Sequence, residues 1–166
     1  MIIRWGFFPP EVRNVVRPIL LNYLWLVPPW IRVLHLGYGV SKTDNYWAEG
    51  SSETNEHYRW TNITIFGHWL DSNESNRRLS IIHELLHISL APMAEEHVQV
   101  INRLFEDGEA PKFRATLNEN WKRVMESAVQ DLAFSISLIP DIQRITLLND
   151  LSVLAFTEEE DEPGGK

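Results

Sequence analysis

The chain has 166 residues, 44% hydrophobic and 11% aromatic, with seven tryptophans and no cysteine. That suits one domain with a real core rather than a disordered chain. It also excludes disulfides and thiolate metal sites, so any metal must be held by His, Asp or Glu. The formal net charge of −8 argues against a broad basic face for nucleic acid.

The N-terminus lacks the pattern of a signal peptide, because Arg4 is followed by Trp-Gly-Phe-Phe-Pro-Pro with no long apolar run. The most apolar stretch, Pro18 to Ile31, is interrupted by Asn22, Pro28 and Pro29 and bounded by Arg17 and Arg32. It is too short and too broken to span a bilayer. The expectation is a soluble, cytoplasmic chain with no membrane partner.

Pro9, Pro10 and Glu11 mark a helix start, since Pro suits the first turn and Glu favours the positive end of the helix dipole. Val12, Val16, Ile19, Leu20 and Tyr23 follow at helical spacing, with Pro18 a possible kink and Pro28 the stop. Residues 30–40 read as a strand, 45–50 as a shorter one, 51–56 as a loop and 57–67 as the next strand. Asp71 and Glu74 stand at capping-box spacing, so a helix is predicted from about Asn73 to Leu90, with Pro92 as its stop. A second, shorter helix follows from Ala94 to Phe105. Residues 112–137 form a long helix with Leu117, Trp121, Val124, Ala128 and Leu132 on its main stripe. Pro140 opens a last helix to about Phe156. The run TEEEDEP at 157–163 carries five acids and no base and reads as solvated. The expected layout is one domain over 1–156 and a disordered acidic tail over 157–166. The order of helix, strands, then helices is an α+β pattern with a small mixed or antiparallel sheet.

The chemistry lies in LSIIHELLHISLAP, residues 79–92. On a helix, positions i and i+4 share a face, so His83 and His87 can turn two imidazoles toward one ion. Zinc accepts neutral imidazole nitrogen, and a catalytic site uses three protein ligands and a water. Glu84, on the flank of that face, can act as general base toward that water. Ile81, Ile82, Leu85, Leu86, Ile88 and Leu90 make the helix apolar nearly all round. Buried there, two His and a Glu need partners, and a metal serves all three. The competing reading is a core helix whose histidines are satisfied by protein groups.

His83-Glu84-Leu85-Leu86-His87 resembles the signature of the zincin metallopeptidases. The resemblance implies a zincin-like fold and a zinc peptidase acting on a protein or peptide substrate. It also implies an edge strand beside the cleft, expected in YRWTNITIFG before the motif. The metzincin extension is absent, since Met93 stands where its third His would be. The gluzincin pattern takes a Glu from a later helix, and Glu126 is the candidate, with Val129 and Ala133 as helical neighbours. Glu119, Glu95, Glu96 and His97 are alternatives. Gluzincins also often place an Asp near the ligand Glu to orient a His. Asp131 would do this, or form a helix salt bridge or cap. Zincins commonly stabilise the developing oxyanion with a downstream Tyr, His or Arg. No Tyr follows Tyr58, which leaves His97, Arg114 and Arg123. His97 is taken with Glu84 as the catalytic pair. His35, His57 and His68 are read as structural. By analogy, small zincins of this kind resemble the repressor-cleaving metallopeptidases of bacteria and phages. The alternative function is a zincin-fold binding or regulatory module that no longer turns over peptide.

Overall fold

The computed structural model describes residues 1–39, 49–55, 57–105, 111–139 and 156–160. The predicted last helix at 140–156, apart from Phe156, and most of the strand expected at 45–50 lie outside the described residues.

Strand β1 (Ile2–Trp5) leads to helix α1 (Pro10–Tyr23), strand β2 (Val33–Gly39) and the hairpin β3 (Gly50–Asn55) and β4 (Trp60–Phe66). Helices α2 (Glu74–Leu104) and α3 (Pro111–Ser137) follow, and β5 (Thr157–Glu160) closes the chain. The strands form one mixed sheet in the order β3-β4-β2-β1-β5. All neighbours are parallel except β3 with β4. The α+β class read from the sequence holds for the described residues.

The sheet is two-faced because its side chains alternate. Register aligns Ile3 with Leu34 and Leu34 with Thr61, then Trp5 with Leu36 and Leu36 with Ile63. These rows are buried and pack with Val12, Val16 and Leu20 of α1 and with Ile81, Ile82 and Leu85 of α2. The opposite row of Arg4, His35 and Asn62 is polar. Thr61, wholly buried, is satisfied by the Glu53 carbonyl and the Thr54 hydroxyl, each at 3.0 Å. That bond pair ties β3 to β4.

Several expectations change. Residues 51–55 are not a loop but most of β3, the edge strand, and β4, expected at the edge, is internal. Polar Ser, Glu, Thr and Asn can form a strand here because, among the described residues, β3 is paired on one side only, and none of its own residues is buried. The cap of α2 is Asn73, whose side chain accepts from the Asn76 amide at 2.9 Å, rather than Asp71.

Pro92 does not stop α2, and the two helices expected there are one helix of 31 residues. Proline inside a helix costs about 3 kcal/mol. Burial of Ile81, Ile82, Leu85, Leu86 and Ile88 in the turns before it contributes on the order of 10 kcal/mol. The exposed Pro92 is carried along.

On α3, Val124 and Leu132 of the predicted main stripe are exposed, and Val129 and Ala133 are the buried residues. The helix packs on α2 through the Val129–Ala133 side.

Thr157–Glu160 is not a disordered tail. It pairs in parallel with β1, and Glu158, Glu159 and Glu160 form ion pairs with Arg17, Arg4 and Arg13. The acid run is stabilised by a matching set of arginines distant in sequence. Residues 161–166 lie outside the described ones.

Candidate metal centre

One stripe of α2 faces an open cleft of about 1500 Å³: Asn76, Ser80, His83, His87, Ala91 and Ala94. Their spacing of three and four keeps them on one face, and the apolar residues between them hold the other side against the sheet. The edge strand β3 forms a second wall, and α3 contributes Lys122, Glu126 and Gln130.

The structure brings together three of the predicted ligands. His83 Nε2 and His87 Nε2 lie 3.0 Å apart, and Glu126 Oε2 is 3.4 Å from each. One ligand atom from each residue falls within 4.8 Å of the others. Ligands around tetrahedral zinc at about 2.0–2.1 Å stand about 3.3 Å from one another, so these three atoms already have the spacing of three corners.

The protonation pattern suits a cation as well. Burial, then the neighbouring His87, lowers the His83 pKa, which favours neutral imidazole. His83 Nδ1 lies 3.1 Å from Gln130 Oε1, which can only accept. The proton therefore sits on Nδ1, and the Nε2 lone pair points to the cluster. This is the orienting contact expected of Asp131, which is exposed. Gln130, one turn after Glu126, makes it instead.

Glu84 is 7% exposed and does not join the cluster. Burial, countered by a hydrogen bond from the Ser52 hydroxyl, raises its pKa to about 7. Its side chain lies against Gly50. A Cβ there would stand 3.2 Å from the Thr64 carbonyl and 3.3 Å from Glu84 Cγ. Glycine thus lets the edge strand pass over the carboxyl group. Sequence reasoning missed Gly50, Ser52 and Gln130. The signals were an isolated glycine at a strand end, which often marks a close backbone approach, and the helical i+4 spacing of Gln130 from Glu126.

The other candidates fall elsewhere. Glu119 and Glu96 are exposed and do not line the cleft, while Glu95 lines it about two turns beyond His87. His97 stacks on Trp121, ring centroids 4.3 Å apart and planes 6° off parallel. It lines a smaller pocket of about 260 Å³ that shares His87, Lys122 and Glu126 with the cleft. Arg123 bonds Asn120 at 3.2 Å, and neither Arg114 nor Arg123 lines the cleft. Of the histidines read as structural, His57 lies at the cleft's edge.

No helix among the described residues is long and apolar enough to cross a membrane. Comparison of the chain with protein-family models, with curated proteins and with solved structures found no match.

Proposed function

We propose that this chain is a zinc-dependent peptidase with a zincin-like active site. The observation that carries the reading is the convergence of His83, His87 and Glu126 at the spacing of zinc ligands, beside a buried Glu84. These residues fit the metal: two imidazole Nε2 atoms and one carboxylate oxygen would leave a fourth position open to the cleft. A zinc ion held there would polarise a peptide carbonyl and make water more acidic.

Glu84 takes the proton from the attacking water as its oxygen bonds to the carbonyl carbon. It returns that proton to the amine nitrogen as the carbon–nitrogen bond breaks. A carboxyl with a pKa raised toward neutrality is suited to both transfers. Ser52 holds its position through a hydroxyl bond. The side of β3 left unpaired among the described residues offers backbone groups to an extended peptide, which would add to the sheet as a further strand.

The test is zinc content and peptide hydrolysis for protein purified without a chelator. The wild type should hold near one zinc per chain and cleave an unstructured protein substrate. Glu126→Ala should lose zinc. Glu84→Gln should keep zinc and lose hydrolysis. A folded wild type that refuses added zinc removes the reading. Zinc without hydrolysis in the wild type, on a broad peptide library, leaves a binding module in its place.

A further inference from the structure

We propose that Lys122 binds a carboxylate of the substrate one helical turn past the His83–His87–Glu126 cluster, so that the cleft selects peptides with a negative charge beside the bond to be cut. The proposal rests on the peptidase reading above and names its substrate class.

Contacts between α2 and α3 step in opposite directions. Gln130 meets His83, and Glu126 meets both His83 and His87. The next turn of α3 brings Lys122, and the next turn of α2 brings Ala91, both in the cleft wall. Residues four apart on a helix have Cβ atoms about 5–6 Å apart. A lysine side chain on the turn next to Glu126 therefore reaches the space in front of the cluster. The small side chains of Ala91 and Ala94 leave that space open.

Lys122 is the sole Lys or Arg among the described residues that line the cleft. It forms no ion pair among those residues, whereas Arg4, Arg13, Arg17 and Arg78 all do. The carboxylates of the cleft have other partners. Glu126 faces the two histidines, Glu95 accepts from Gln99, and Glu49 accepts from the Ser72 and Ser80 hydroxyls. An exposed lysine on a helix is ordinarily just solvated. This one stands at the junction of the cleft and the smaller pocket. There a concave wall concentrates its field on a bound ligand. The smaller pocket, with Leu90, Val98 and Met125 in its walls, offers room for an apolar side chain next to that charge.

The probe is a short alanine peptide ending in phenylalanine. It is made with a free terminal carboxylate, as the terminal amide, and as the amide with an internal aspartate. Binding is measured by calorimetry on zinc-treated Glu84→Gln protein, which leaves the peptides intact, and on the same protein carrying Lys122→Met or Lys122→Arg. A charge-assisted contact corresponds to about a tenfold or greater preference for a carboxylate peptide over the neutral amide. Lys122→Met should abolish that preference and Lys122→Arg should keep it. The favoured carboxylate peptide identifies the source as chain terminus or side chain. Equal or absent binding of the three probes, or a preference that survives Lys122→Met, overturns the proposal. Zinc content and hydrolysis of the wild type are read separately. Their failure removes the peptidase reading, whereas normal values without a carboxylate preference remove only this one.

Discussion

Glu84 shows how one side chain couples stability to chemistry. Its carboxyl is protonated in both folded and unfolded chains at low pH. As pH rises past 4.5 the unfolded chain releases this proton first, because burial holds the folded pKa at about 7. In the metal-free protein this carboxyl therefore contributes a loss of stability between about pH 4.5 and pH 7 and no further change above that window. Glu84→Gln has no proton to lose. Above pH 7 the metal-free variant should exceed the wild type by on the order of 3 kcal/mol, with the gap closing below about pH 4. Urea unfolding at several pH values checks this, and parallel pH profiles for the two proteins would refute the buried, raised carboxyl. A residue costly to the empty fold and needed by the proposed reaction is what a site selected for activity should contain.

Edge strand β3 earns its place through what it lacks. It has no buried residue, and the hairpin turn after it places Arg59 at a φ of 58°, in the left-handed region. What locates it is pairing with β4, the Thr54–Thr61 bond and the passage of Gly50 over Glu84. Alanine at position 50 would press on a backbone carbonyl and on Glu84 together, and the carbonyl has little freedom to yield. Gly50→Ala should therefore cut peptide hydrolysis roughly tenfold or more, since small misplacements of a reacting group are costly. Zinc content should be unchanged, because the atoms nearest to a Cβ at position 50 belong to Thr64 and Glu84 rather than to the three ligands. Hydrolysis at the wild-type rate would mean that Glu84 does not need its present position.

At the level of the molecule, the proposed zinc site joins two helices that rely on each other unequally. Helix α2 is anchored in the core, whereas α3 buries only Val129 and Ala133 completely and leaves Phe113, Val124, Leu132 and Phe134 exposed. A metal gripped by His83 and His87 from one helix and Glu126 from the other clamps the weaker to the stronger. Zinc at a hundred times its dissociation constant should add about 2.7 kcal/mol of stability. The gain should be concentrated in α3, seen as slower amide exchange from Pro111 to Ser137 and lost in Glu126→Ala. Zinc that raises the melting temperature without slowing exchange in α3 would place the ion elsewhere.

Much of this was legible in the sequence. The i, i+4 histidines needed only helical periodicity, and the apolar residues around them made the helix certain to be buried. Glu126 was a candidate through the gluzincin resemblance and through Val129 and Ala133, its neighbours at i+3 and i+7, and these two residues are indeed buried. Local pattern decides such features because each depends on one helix face. The remainder depended on partners far apart in the chain. Pro92 reads as a stop until the burial of five earlier side chains outweighs it. SSETN reads as a loop until β4 supplies a pairing edge, and TEEE as a solvated tail until Arg4, Arg13 and Arg17 meet it. Gln130 becomes the group that orients His83 only once α3 lies against α2. Polar segments carry little periodic signal of their own, so their structure is decided by what the fold places beside them.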